Sequence, residues 1–358
     1  MGVQVAPGWV SNGDCPAMRI ASLIDRWDER NAAQDDPYRP KETLSVGASL
    51  AFGEARPDSS LEALSRLVRQ RLASARSFYT ADHGYRADFH YEGDLLTFRS
   101  AIATETPANN IVHAHIRESR QRRNAIVILP HWNAPPWAYR DFTAYFARLN
   151  ITTVELTLPY HGARKRDGAM IADYLLSANL GRTIRSFRQA VVDTRAVIDW
   201  LTGRGYERIG LIGVSIGSCI AALAAAHDPR VRSSALLLAA GDFAEVVWTG
   251  RATQHIRRML EPALSLDQLK AVWSILSPEL FASELARPQH STLIVSGARD
   301  RVVQPYLTQR LANQLRSCQA SLQWKPLPCG HYSLALFPFN LMAFASLARF
   351  SYRNGLLR

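Results

Sequence analysis

Gly213-Val214-Ser215-Ile216-Gly217 lies between an apolar run, Ile209-Gly210-Leu211-Ile212, and a run of small residues from Ser218 through Cys219, Ile220, Ala221, Ala222 and Leu223 to Ala226. The pattern predicts a buried strand, a sharp turn and a helix. A serine at such a turn projects its hydroxyl above the sheet edge, and the flanking glycines leave room for strand and helix to approach closely. The helix start offers free N–H groups to a developing oxyanion. Ser215 is therefore the candidate nucleophile, and the N–H of Ile216 a candidate oxyanion donor. An ordinary glycine-rich strand-to-helix turn would carry the same five residues, so the weight falls on the partners downstream.

Two partners follow in order. Ser291-Thr292-Leu293-Ile294-Val295-Ser296-Gly297 reads as a buried strand, and Asp300 comes just past its carboxyl end. Reactive groups of parallel α/β sheets collect on that edge. A carboxylate there can accept an imidazole N–H and hold the ring in its useful tautomer. A surface aspartate paired with Arg299 or Arg301 is the plain alternative. Of the 10 histidines only His331 follows Asp300, in the loop Leu327-Pro328-Cys329-Gly330-His331-Tyr332-Ser333 after the strand Ser321 to Lys325. Such a histidine can take the Ser215 proton and return it to the leaving group. A second oxyanion donor is expected from the loop His131-Trp132-Asn133-Ala134-Pro135-Pro136, which follows the strand Ala125 to Pro130.

Taken together these residues resemble the α/β-hydrolase superfamily from about Phe89 to the C-terminus. The stretch Val154-Glu155-Leu156-Thr157-Leu158-Pro159-Tyr160-His161-Gly162-Ala163-Arg164-Lys165-Arg166 is similar to the abhydrolase-domain-18 group, and also to acetyl-ester and dienelactone-type hydrolases. The resemblance implies a serine hydrolase of carboxylic esters or lipid acyl groups, with no metal or organic cofactor. It also implies a glycine where this chain has Trp132, since such loops usually read His-Gly-X. Asn133 is then the expected donor by position, with Trp132 as the alternative, because Trp reaches positive φ less cheaply than Gly. Asp242, after Leu236 to Gly241, is the fallback acid, because some hydrolases of this kind carry it after that earlier strand. His161 precedes Ser215 and is expected to shape the pocket mouth as a turn residue rather than to act as the base.

The remaining chain fits this class. Residues 1–85 read as an N-terminal arm, with a short helix near Ile20 to Asn31 and an amphipathic helix from Ser60 to Tyr79; residues 86–358 read as the hydrolase domain. Asp88 to Glu105 and Asn110 to Glu118 alternate as antiparallel strands do, with His113 and His115 on one face; exposed side chains are the expectation there, a metal pair the rival. Helices Trp137 to Asn150, Arg182 to Arg204 and Gln304 to Arg316 alternate with strands at Thr153 to Leu158, Arg232 to Ala239 and Leu322 to Leu327. That is an α/β chain with a mainly parallel sheet covered on both faces. Residues 243–288 carry Val246, Trp248, Ile256, Met259, Leu269, Val272 and Trp273, and are expected to form a small helical cap over the active edge.

Composition limits the other classes. With 358 residues, 47% hydrophobic and 20% charged, the chain has the make-up of a soluble globular protein. No apolar run is long enough to cross a bilayer, and the first residues show neither a secretory leader nor a myristoylation signal. Cys15, Cys219, Cys318 and Cys329 have neither metal nor disulfide-framework spacing, which points to a reducing, cytoplasmic setting. The net charge is +11, and the densest basic clusters are Arg117-Glu118-Ser119-Arg120-Gln121-Arg122-Arg123 and Arg164-Lys165-Arg166. The second cluster follows a core strand on the active edge, so contact with an acidic substrate or a peripheral contact with anionic lipid stays open. No nucleic-acid module is present. The expected partner is a small-molecule ester; a peptidase, an acyltransferase and a non-catalytic binding module remain as rivals.

Overall fold

The computed structural model describes residues 16–53, 60–136 and 138–356. The leader and lipidation expectations, Cys15 and Trp137 fall outside the described residues. Among the described residues the first α-helices are α1 (Pro16–Ala32), α2 (Ala48–Phe52), α3 (Leu61–Leu72) and α4 (Ala75–Phe78). Ser60 caps α3 by accepting the Ala63 N–H. The α2 turn lies against a later helix so closely that a Cβ on Gly181 would fall 1.7 Å from the Gly47 carbonyl oxygen. Glycine is the residue that permits this approach.

Nine strands follow among the described residues: β1 (His90–Glu92), β2 (Leu95–Arg99), β3 (Ile111–Arg117), β4 (Asn124–Leu129), β5 (Thr152–Leu156), β6 (Arg208–Val214), β7 (Val231–Leu237), β8 (Ser291–Gly297) and β9 (Ser321–Leu327). Their order in one sheet is β1-β2-β3-β5-β4-β6-β7-β8-β9. The last six in that order are parallel, whereas β1, β2 and β3 run antiparallel. The expected single strand from Asp88 to Glu105 is instead a hairpin. Glu92 pairs with Leu95 across Gly93-Asp94, and Gly93 takes φ 62°, a tight-turn conformation that glycine adopts without strain. His113 is half-buried and His115 exposed on the outer face of β3.

Between the strands lie α5 (Arg140–Arg148), α6 (Leu180–Gly203), α7 (Ile216–His227), α8 (Phe243–Thr249), α9 (Gln254–Leu260), α10 (Leu266–Trp273), α11 (Ala282–Leu285) and α12 (Pro305–Ser317), and α13 (Phe339–Arg353) closes the chain. The two-residue period of β4 explains how both faces are covered. Ala125, Val127 and Leu129 enter one core with Ile184, Phe187 and Leu223 of α6 and α7, while Ile126 and Ile128 enter the other with Phe146 of α5 and Leu347 of α13. This is the mainly parallel α/β sheet with helices on both faces.

The stretch expected as a cap holds α8 to α11. Its α10 packs on α3, α6 and α8, and Trp273 is fully buried, with its indole N–H donating to the Leu180 carbonyl. No helix among the described residues is long and apolar enough to cross a membrane.

Candidate active site

The turn between β6 and α7 puts Ser215 at φ 54°, ψ −119°, a strained conformation for a residue with a side chain. Two glycines make it feasible. A Cβ on Gly213 would come 2.3 Å from the Gly217 carbonyl oxygen, and one on Gly217 would come 2.1 Å from the Leu129 carbonyl oxygen. The Ser215 N–H is anchored on the Leu237 carbonyl at 2.9 Å. With the backbone so fixed, the hydroxyl points at His331, and its Oγ lies 2.9 Å from Nε2.

The opposite ring nitrogen, Nδ1, is 2.8 Å from Oδ2 of Asp300. Asp300 is held from behind, because its Oδ1 accepts the N–H groups of Val302 and Val303, each at 2.8 Å. The carboxylate accepts, so Nδ1 carries the ring proton and Nε2 is left to accept the Ser215 hydroxyl. Asp300 and His331 are both buried. The fallback acid is elsewhere: Asp242 caps α8 through the Glu245 N–H and pairs with Lys270 at 3.3 Å and Arg310 at 3.1 Å. Among the described residues Asp300 pairs with neither Arg299 nor Arg301, both of which face Asp25.

The loop after β4 departs from the expectation. Asn133 is the residue with positive φ, 60°, which asparagine tolerates better than most side chains. Its backbone N–H donates to Nε2 of His161 at 2.9 Å, so the donor expected from Asn133 is already engaged. The Asn133 amide reinforces this, accepting the Ala172 N–H at 2.8 Å and donating to Asp35 at 2.7 Å. Among the described residues no protein acceptor is found for the N–H of Trp132 or for that of Ile216 at the start of α7. Trp132 is fixed through its side chain: the indole N–H donates to the Ala172 carbonyl at 3.0 Å, and the ring stacks on His255.

His161 was expected as a turn residue, and its tie to Asn133 gave no sign in the sequence. It is buried, and burial together with the neighbouring cationic groups lowers its pKa to about 4. The neutral ring has its Nδ1 2.9 Å from the Pro159 carbonyl, which fixes the proton there and leaves Nε2 as an acceptor. His131 is also neutral, lowered to about 4 by burial and by the nearby His331; its Nδ1 accepts from the Tyr139 hydroxyl at 2.7 Å.

A cavity of about 820 Å³ opens over Ser215. Phe142, Val246, Phe344 and Leu347 form apolar walls, while Asp35 and Arg39 bring the N-terminal segment to its edge. The basic stretch after β5 does not reach it. Arg164 is fully buried and paired with Asp193 at 2.8 Å, Arg166 pairs with Asp173, and Lys165 donates to the Met170 carbonyl. Of the three cations, Arg164 and Arg166 are thus held in ion pairs and Lys165 by a carbonyl. Cys329 is buried with its thiol pushed up to about 12, and Cys219 donates to the Leu276 carbonyl.

The family model described as alpha/beta hydrolase domain containing 18 matches residues 111–271. Among solved structures, acetyl xylan esterase 1 from a Thermoanaerobacterium species superposes with TM-score 0.60 at 16% identity, covering 82% of this chain and 99% of that one. An acetyl xylan esterase from a Paenibacillus species gives TM-score 0.57 at 15% identity, covering 88% and 98%. The acylaminoacyl peptidase of Pyrococcus horikoshii gives 0.57 at 10% identity, covering 76% of this chain and 42% of that one. No curated protein sequence matches the chain.

Proposed function

On a chain with the α/β-hydrolase fold, we propose a serine hydrolase that cleaves carboxylic esters through an acyl-enzyme. The observation that carries the reading is the line from Ser215 Oγ through the His331 ring to Asp300, with contacts of 2.9 and 2.8 Å. Ser215 attacks the acyl carbon while His331 takes its proton, and Asp300 keeps the ring in the right tautomer and stabilises the imidazolium. The N–H groups of Ile216 and Trp132 receive the oxyanion. His331 then protonates the leaving alkoxide, and a water activated by the same ring clears the acyl group. None of these steps calls for a metal or cofactor.

The apolar walls of the cavity suit the acyl part of an ester, including a lipid-like chain. Cys219, Cys318 and Cys329 are free thiols, in keeping with a reducing, cytoplasmic location. A fluorophosphonate probe tests the class. Labelling of the wild type that is lost in Ser215→Ala supports a reactive serine, whereas folded protein that never labels points to a binding module. Nitrophenyl esters of graded chain length, set against peptide amides and added alcohol acceptors, then separate esterase from peptidase and acyltransferase.

A further inference from the structure

The helix α1 lies far from the catalytic residues in sequence, yet it grips the loops that carry them. Asp25, Asp28 and Glu29 share one face of the helix, three and four residues apart. Asp25 binds Arg299, the neighbour of Asp300, with both oxygens at 3.0 and 2.6 Å. Glu29 binds Arg251 at 2.6 Å. Between them Asp28 enters the His331 loop and is only 5% exposed.

The partners of Asp28 are unusual for a buried carboxylate. It has no cationic partner among the described residues; its charge is met by the Tyr332 N–H at 2.6 Å, the Ser333 hydroxyl at 2.6 Å and the Ser333 N–H at 3.4 Å. The Ser333 oxygen in turn accepts the Gly330 N–H at 2.8 Å. His331 is thus bracketed: the N–H after it is bound by Asp28 directly, the N–H before it through one hydroxyl. Hydrogen bonds to an ionised acceptor are the stronger kind, and a buried carboxylate must keep them. Gly330 completes the fit, because a Cβ there would fall 2.5 Å from the Asp28 carboxyl carbon.

We propose that Asp28 is a positioning residue which holds the His331 imidazole in line between Asp300 and Ser215, making the N-terminal helix a working part of the active site. The proposal rests on the reading of His331 as general base. Asp28 touches neither substrate nor the reacting atoms; it acts through the backbone on both sides of His331.

The test compares wild type, Asp28→Ala and Asp28→Asn in the full chain. In Asp28→Ala, kcat per labelled active site on a short nitrophenyl ester is expected to fall on the order of 10²-fold with KM little changed, as a displaced catalytic group predicts. Asp28→Asn keeps an oxygen for the Tyr332 N–H and is expected to recover most of the loss. The far-downfield proton resonance of the His331 Nδ1–H shared with Asp300 is expected in the wild type and to broaden or move upfield in Asp28→Ala. A folded Asp28→Ala protein with wild-type kcat and an unmoved resonance overturns the proposal, as does a loss confined to KM. Should Asp28→Ala fail to fold, Asp28→Asn and Ser333→Ala carry the test, and wild-type kcat in both overturns it. A wild type that hydrolyses no ester defeats the functional reading instead, and the resonance still decides the role of Asp28.

Discussion

The backbone N–H of Asn133 donates to Nε2 of His161 at 2.9 Å, joining the loop after β4 to the loop after β5. The bond assigns the two candidate donors of the first loop to different tasks. Asn133 anchors the turn, and in the proposed mechanism the N–H of Trp132 is the donor left for the developing negative charge. His161→Phe, which keeps the ring but not the acceptor, is expected to lower kcat by about 10- to 100-fold, since a misplaced oxyanion donor loses much of its effect. KM is expected to change little. Steady-state kinetics on a short nitrophenyl ester checks this, and a wild-type kcat would show that the loop holds without the bond.

Ser215→Ala is expected to lower kcat by about 10⁶-fold, the scale seen when the nucleophile of a triad is removed. Binding of a non-hydrolysable ester analogue should survive, because the apolar walls are untouched. Activity within tenfold of wild type, on this order of expectation, would move the nucleophile elsewhere.

Asp300→Asn isolates the tautomer. The Asn oxygen can keep the Val302 and Val303 N–H groups that Oδ1 now accepts, so the side chain stays in place and its amide faces Nδ1. The ring must then carry its proton on Nε2, where it cannot accept from Ser215. A loss of about 10⁴-fold in kcat is expected. Crystal geometry unchanged together with that loss distinguishes the effect from misfolding.

Acid is expected to weaken the fold between about pH 6.5 and 4. Buried His161, His227 and His290 and half-buried His131 are lowered to about 4, and half-buried His255 to about 3. Each is neutral when folded and takes up a proton more readily when unfolded. The stability it contributes is therefore complete above the unfolded pKa and is lost as pH falls toward the folded one. His227 gives a clean test: it stacks on Tyr79, meets Phe281 edge-on, and its Nε2 has no partner among the described residues. His227→Phe is expected to keep these contacts and to flatten the acid slope by on the order of 1 kcal/mol per pH unit. Urea unfolding at a series of pH values measures the slope; an unchanged slope would mean that His227 already titrates normally.

Breaking the Arg164–Asp193 pair has a different signature. Both side chains are buried, with Arg164 also donating to the Asn109 and Thr157 carbonyls. Arg164→Met leaves the Asp193 charge without its cation and is expected to destabilise the protein by about 3–5 kcal/mol. Lys165→Ala, by contrast, is expected to leave KM for an anionic ester unchanged. A rise in that KM would restore the basic stretch to the substrate.

The strand-turn-helix around Ser215, Asp300 at the end of β8 and His331 after β9 could be read from the chain itself. Each is a local pattern: an apolar run ends, a turn follows, and the parallel sheet places all such ends on one edge. The unbroken apolar run of β4 likewise announces a strand buried on both faces. The alternation from Asp88 to Glu105, by contrast, reads as one strand, and the turn at Gly93-Asp94 emerges only from the pairing of β1 with β2. What could not be read were the ties between distant segments. Asp28 meets Ser333 across 305 positions, His161 meets Asn133 across two loops, and Arg164 turns inward to Asp193. Hydrogen bonds of this kind depend on where the packed sheet sets each loop, to within a few tenths of an ångström, and on which polar atoms burial leaves in need of a partner. Sequence fixes the order and type of the elements because these follow from local preference and hydrophobic period; only the assembled core decides which donor finds which acceptor.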